Sequence, residues 1–256
     1  MLLILLHNIQ SASNLIKSGY PLAQNLKKDV GLLVYAENES RVEEQKMLIE
    51  NDIAENKLEN IHVFVRPNSV KDLAQDCELL EASFLMIQWE TALSGQLRNY
   101  LKYCRDLRIP YLFFKDSFAE IHFQKVLVPV GFLIEEYEKT QFASAFGRFC
   151  NAEITILQAN DYGSKAKTTV EKMKLIFDTF ELNYVQEKAQ ADSFKLDKEA
   201  VAKGKDENFD VILISSSREY GLDDVIFGPK ELRLVKKSTV PLLLINPRGD
   251  LYTLCE

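Results

Sequence analysis

A polar segment between two apolar runs carries residues that are suited to holding an anion. They are Ser215, Ser216, Ser217, Arg218, Gly228, Pro229 and Lys230. Hydroxyl, guanidinium and ammonium groups donate hydrogen bonds to phosphate oxygens. A glycine just before a helix lets backbone N–H groups approach the same oxygens, and the helix N-terminus adds a partial positive charge. The segment therefore predicts either an anion site or only the backbone shell of one.

Two observations favour the simpler interpretation of this segment. Consecutive serines are typical of a polar turn, because their side chains bond to the nearby backbone. Glu219, Asp223 and Asp224 lie in the same segment, and carboxylates repel a phosphate unless a metal ion intervenes. The residues alone leave both interpretations open.

The other reactive side chains are scattered along the chain. The histidines and cysteines are His7, His62, His122, Cys77, Cys104, Cys150 and Cys255. Since no CxxC pair occurs, the sequence predicts neither a metal site nor a disulfide framework. A Walker loop, a dinucleotide fingerprint and a G-x-S-x-G elbow are also missing. An acid–base pair of His7 and Glu90, each at the end of a predicted strand, is the enzymatic alternative.

Composition limits the environment and the partners. The 256 residues have a net charge of −7, whereas sequence-independent binding of nucleic acid needs a basic surface. No apolar run approaches the roughly 18–20 residues of a membrane helix. The start, MLLILLHN, lacks the basic region and the length of a signal peptide. We therefore expect a cytoplasmic protein with no nucleic-acid or membrane partner.

Short apolar runs alternate with amphipathic stretches along the whole chain. Strands are predicted at 2–7, 30–36, 61–65, 83–88, 109–114, 126–130, 153–159, 183–187, 210–214 and 240–245. Helices are predicted at 12–28, 40–56, 69–81, 93–106, 135–150, 165–182, 194–204 and 228–238. Nearly unbroken apolar strands indicate a parallel sheet that helices cover on both faces. The pattern predicts two α/β domains, at 1–118 and 123–250.

The second half resembles the universal stress protein family. The resemblance rests on KVLVPVGFLIEEYEKTQFASAFGRFCNAEITILQAN and on FDVILISSSREYGLDDVIFGPKELRLVKKSTVPLLLINP. The first half matches in the order of its elements and in its IPYLFF run. The resemblance implies two adenine-nucleotide-alpha-hydrolase-like domains in tandem, each a five-stranded parallel sheet with helices on both faces. It also places the ligand crevice where the strand order reverses, beyond the carboxyl ends of the first and fourth strands.

ATP-binding members of the family carry an Asp directly after the Val-Pro-Val strand and a loop of the form G-x2-G-x9-G-[S/T]. Here the Asp position is Gly131, and Ser215 and Arg218 stand at the first two glycine positions. Gly228 matches the third glycine, whereas Pro229 replaces the Ser or Thr. In the first half the Asp position is occupied by Asn8, and no G-x2-G precedes Gly95. The nucleotide motif is thus largely degraded.

These observations predict a non-enzymatic tandem universal stress protein that acts by interaction with a protein partner of unknown identity. The family further implies an intramolecular pseudo-dimer in which the last strands of the two halves pair, and a homodimer is a second arrangement. We expect no cofactor, and ATP or AMP, or another anion, in the second domain alone is the alternative.

Overall fold

The computed structural model describes residues 1–36, 38–55, 59–67, 69–91, 95–217 and 228–248. The chain divides into two compact units, Met1–Ile121 and His122–Glu256. Five residues that the sequence patterns singled out lie outside the described residues: Arg218, Glu219, Asp223, Asp224 and Cys255.

The first unit alternates five strands with four α-helices within its described residues. The strands are β1 Leu2–Leu6, β2 Val30–Tyr35, β3 Ile61–Arg66, β4 Phe84–Trp89 and β5 Tyr111–Lys115. The helices are α1 Ser13–Asn25, α2 Val42–Glu55, α3 Leu73–Leu79 and α4 Leu97–Tyr103.

The second unit repeats this alternation. Its strands are β6 Lys125–Val130, β7 Glu153–Gln158, β8 Tyr184–Lys188, β9 Val211–Ser215 and β10 Leu242–Ile245. Its helices are α5 Lys139–Cys150, α6 Lys165–Thr179, α7 Leu196–Asp206 and α8 Lys230–Lys237. A short 3-10 helix, Ile134–Glu138, leads directly into α5.

Both units have the same strand order. It is β3-β2-β1-β4-β5 in the first unit and β8-β7-β6-β9-β10 in the second. The pairings are parallel, with Leu2 opposite both Val30 and Phe84, and Val126 opposite Val211. In each unit the order reverses between the first strand and the fourth, so a crevice opens beyond their carboxyl ends.

The helices cover both faces of each sheet because of the handedness of the crossovers. Right-handed connections place α1 and α2 on one face, and α3 and α4 on the other, since the chain turns back after β3. By the same rule α5 and α6 lie opposite α7 and α8. All five residues of β1 are buried, and so are all five of β9. The predicted α/β class with parallel, doubly covered sheets is confirmed.

The structure corrects several predicted element ends. The helix predicted at 93–106 is described only over Leu97–Tyr103, and a 3-10 turn at Val70–Asp72 precedes α3. Pro110 and Pro241 were expected as the second residues of strands, but each stands just before its strand. Their carbonyl oxygens accept hydrogen bonds from Leu85 N and Ile212 N. Because a proline has no N–H, it can take part in the first hydrogen bond of a strand pairing only through its carbonyl oxygen.

Gly228 is required by the backbone that leads into α8. Its φ is +79°, and an added Cβ would lie 2.5 Å from Leu232 Cδ2. A residue other than glycine is strained in this left-handed region.

Gly228→Ala is expected to lower the free energy of unfolding by about 1–2 kcal/mol, as is typical for a left-handed position. Urea denaturation measures the change. Gly95→Ala is the matched control, because Gly95 also stands two residues before a helix, has no positive φ and has open space at its Cβ. Equal losses for the two variants would contradict the argument.

Candidate functional site

The structure places the described members of the predicted site at the carboxyl edge of the second unit's sheet, and Arg218 is not among them. Gly131 directly follows β6, and Ser215 is the last residue of the neighbouring strand β9. Pro229 stands as the N-cap of α8, and its backbone is extended. Lys230 is the first residue of that helix. The edge therefore has the layout of a loop-to-helix anion site, which leaves the question of which groups are free to bind.

The backbone N–H of Ser217 is already bonded to a carboxylate of the same chain. Glu231, in the first turn of α8, accepts this hydrogen bond through Oε1. The Glu231 residue is only 2% exposed. A carboxylate is stabilised by the partial positive charge of a helix N-terminus, just as a phosphate would be. An anion that entered here would have to displace Glu231.

Three buried polar atoms beside this contact have no partner within the described residues. They are Ser215 Oγ, Ser216 Oγ and Glu231 Oε2. Ser215 is 4% exposed and Ser216 is 9% exposed. Ser215 and Ser216 are therefore buried and do not belong to an exposed polar turn.

Ser193 occupies the space that a side chain at position 131 would need. A Cβ at Gly131 would lie 2.8 Å from Ser193 Oγ. That hydroxyl accepts from Phe132 N at 2.9 Å and donates to Asp161 Oδ2 at 2.5 Å, while Ser193 N donates to Asp161 Oδ1 at 2.9 Å. An acidic side chain at 131 would clash with this network and add charge beside Asp161.

The lysines near the crevice are also paired. Lys139 is fully buried, and its Nζ donates to Glu136 Oε2 at 2.6 Å and to Pro129 O at 2.7 Å. Lys230 Nζ lies 3.0 Å from Asp197 Oδ2. Desolvation acts to lower the pKa of Lys230, but the nearby carboxylates, with Asp197 foremost, outweigh it, so the pKa is raised. The chain itself thus supplies a carboxylate partner for each of these lysines.

The sequence analysis did not identify Glu136, Lys139 and Glu231. Their signals were present, however. Glu136 and Lys139 have the i, i+3 spacing of a helical ion pair, and Glu231 is an acidic residue in the first turn of a helix. The spacing does not show, however, that these side chains point into the protein interior.

Lys139→Met is expected to lower the free energy of unfolding by about 3–5 kcal/mol, because Glu136 would be left buried without a partner. The double variant Glu136→Leu/Lys139→Met should lose less, since it buries no charge. Denaturant titration measures both. Lys174→Met is the control: Lys174 pairs with Glu171 at the same spacing on the surface, and surface pairs contribute about 0–1 kcal/mol. A loss no larger than that of the control would show that the buried pair does not matter.

In the first unit, the side-chain amide of Gln88 bonds to the backbone at the corresponding crevice. Gln88, on β4, accepts through Oε1 from His7 N at 2.7 Å and from Asn8 N at 2.9 Å. Its Nε2 donates to Asn8 O at 2.8 Å and to Ser11 Oγ at 2.9 Å. The backbone beyond β1 therefore has its hydrogen-bond partners inside the unit.

His7 and Glu90 are engaged with different partners. His7 Nε2 lies 3.1 Å from Tyr100 Oη, and Glu90 Oε1 accepts from Ser11 Oγ at 2.9 Å. Burial lowers the pKa of His7, and the charge of Glu90 only partly opposes this. Trp89 is buried and packs edge-on against Tyr100 and Phe113. Trp89 is thus a packing residue of the core.

The lowered pKa of His7 predicts a pH dependence of stability. The unfolded chain binds a proton near pH 6.5 while folded His7 resists it, so the free energy of unfolding should fall as pH drops from 7 to about 5. His7→Gln should flatten this part of the curve, measured by urea denaturation at several pH values. His62→Gln is the control, because the His62 side chain is 52% exposed. An unchanged slope in His7→Gln would contradict the assignment.

Neither a metal cluster nor a membrane helix is found in the part of the chain that the structure describes. There, no group of three or more His, Cys, Asp or Glu side chains is placed to hold a metal ion. No described helix has the length and apolar character needed to span a membrane.

Comparison with solved structures identifies the class of fold. The chain matches a universal stress protein from Archaeoglobus fulgidus with a TM-score of 0.70 and 16% identity, over 97% of each chain. It matches a protein of Pseudomonas aeruginosa assigned to the universal stress proteins with a TM-score of 0.64 and 12% identity, over 96% of this chain and 92% of that one. The chain therefore has the universal stress protein fold over nearly its whole length, which confirms the resemblance at the level of fold.

The same fold also occurs in another context. The cytoplasmic domain of a prokaryotic cation chloride cotransporter matches with a TM-score of 0.55 and 13% identity, over 95% of this chain and 93% of that one. No protein-family model and no curated protein matches the chain.

Proposed function

We propose that this chain is a non-enzymatic tandem stress protein that works without a bound nucleotide and acts through protein contacts. The observation that carries the proposal is the buried carboxylate of Glu231 on the N–H of Ser217. This contact gives the loop-to-helix junction an internal anion. A nucleotide phosphate would meet a negative charge in place of a free donor.

The first unit supports the same conclusion by different chemistry. Gln88 supplies both an acceptor and donors to the backbone beyond β1. In both crevices these described backbone groups therefore have a partner within the chain. A shared fold does not by itself determine function, so the proposal rests on these contacts.

Exposed apolar side chains supply a surface for protein contacts. Leu133, Ile134, Tyr162 and Phe194 follow strands β6, β7 and β8 at the carboxyl edge of the second sheet. Phe194 is 83% exposed and Ile134 is 58% exposed. Clusters of exposed apolar residues with polar surroundings are typical of interaction sites. In this proposal they meet a protein partner in the cytoplasm.

We further propose that the two halves form a pseudo-dimer within one chain. The family arrangement motivates this proposal, together with the identical strand order of the two units. Since such a chain contains both halves of its dimer, it does not require a second copy.

A second candidate function is anion binding in the second unit. It is favoured by the hydroxyls of Ser215 and Ser216, which have no partner among the described residues, and by the left-handed Gly228 before α8. In this case Glu231 is the group that blocks entry, and removing its charge should open the site.

Native mass spectrometry of the purified protein, together with calorimetry, tests these proposals. We expect the mass of one chain with no adenine nucleotide, and no heat above dilution with millimolar ATP. Binding at 100 times the Kd would stabilise the fold by about 2.7 kcal/mol, so a thermal melt is an independent readout. A carried-over nucleotide would contradict the nucleotide-free role, and a fold that is lost when two chains dissociate would contradict the proposal that one chain needs no second copy.

The variant Glu231→Gln separates the two candidates. If it binds ATP while the wild type does not, the crevice is an anion cradle that one carboxylate blocks. If neither protein binds, the crevice has no such capacity, as the first proposal requires. Glu199→Gln is a control of equal charge change on α7, and it should leave ATP binding unchanged.

A further inference from the structure

A groove on the helical face of the second unit has the features of a separate ligand site. It lies between α5 and α6, has a volume of about 520 Å³, and is lined by Tyr137, Glu138, Ser144, Arg148, Ile176 and Phe180, among others. Ligand pockets are commonly about 300–1,000 Å³ and mostly apolar, with a few placed polar groups. None of its lining residues belongs to the crevice contacts described above.

Arg148 gives the groove a cation with unused donors. Its guanidinium carbon lies 4.4 Å from the ring centroid of Phe180 and 5.1 Å from that of Phe149. The two rings hold the guanidinium in place, and within the described residues no carboxylate pairs with it. A guanidinium held in this way can bind a planar carboxylate through two parallel hydrogen bonds.

Ser144 supplies an independent sign of a missing ligand. The residue is 6% exposed, lines the groove, and its Oγ has no partner within the described part of the chain. It stands one helical turn before Arg148, so both side chains lie on the same face of α5. Thr140, one turn earlier, is different, because its hydroxyl donates to Tyr137 O at 2.6 Å. A buried hydroxyl without a partner is costly and needs an explanation.

We propose that this groove binds a small amphipathic monocarboxylate. Its carboxylate pairs with Arg148, a polar atom beside it bonds to Ser144, and its apolar body lies against Ile176 and Phe180. Glu138 lines the other end of the groove and accepts a hydrogen bond from Arg248 N. Because a second anionic group would meet Glu138, the site selects against dicarboxylates.

The probe is 4-phenylbutyrate, titrated into the full chain labelled with 15N and followed by amide chemical shifts. We expect saturable shifts confined to α5 and α6, with a Kd on the order of 1 mM, ordinary for a ligand of about twelve heavy atoms. Arg148→Gln should weaken binding at least tenfold, and Ser144→Ala about threefold. Arg233→Gln, an exposed arginine on α8, is the matched control and should bind like the wild type.

The neutral analogue 4-phenylbutyramide makes the test independent of any variant. It should bind at least tenfold more weakly than the acid, since it lacks the negative charge and the second acceptor oxygen of a carboxylate. Equal binding of acid and amide would overturn the proposal, as would equal binding by Arg148→Gln or no shifts at about 10 mM acid. A self-association of the chain that Arg148→Gln abolishes would also overturn it, because a second copy would then be the occupant.

Discussion

The structure depends on one constraint: the backbone N–H groups beyond parallel strand ends must find acceptors once they leave water. Loops after neighbouring strands converge at one edge of the sheet, so these donors are concentrated there. In many α/β proteins a ligand phosphate accepts from them. Here side chains of the same chain do so, Glu231 in the second unit and Gln88 in the first. The two halves solve the same problem with different chemistry.

Buried charge in the second unit is consistent with this arrangement. Lys139 has no exposure, yet it contacts both a carboxylate and a carbonyl oxygen. Such a cation is tolerated only when its partners are well placed, because desolvation of an isolated ion costs several kcal/mol. Together with the pair of Lys230 and Asp197, it produces a crevice lined by opposite charges that cancel. A bound phosphate would disturb this balance.

The likeness to universal stress proteins and to a transporter domain is a likeness of fold, at 12–16% identity. The same arrangement of a parallel sheet with helices on both faces thus supports surfaces that differ residue by residue. In the described part of the second unit's crevice Glu231 accepts from Ser217 N, whereas the groove between α5 and α6 offers a held cation and a hydroxyl with no described partner. Binding capacity has a basis on the helical face as well as at the strand ends.

Sequence alone determined the α/β class, the ten strands and the position of Gly228, because apolar runs and turn residues are local signals. It also indicated that the nucleotide motif is degraded. Helix ends were less certain, since a short 3-10 turn such as Val70–Asp72 is too brief for its apolar spacing to be told from that of an α-helix. Only the tertiary structure decided that Glu231 faces inward onto Ser217 and that Ser193 closes Gly131. The first contact bridges a separation of 14 residues between the end of β9 and α8, and the second joins the ends of different strands. The direction of each side chain depends on packing that no local pattern contains.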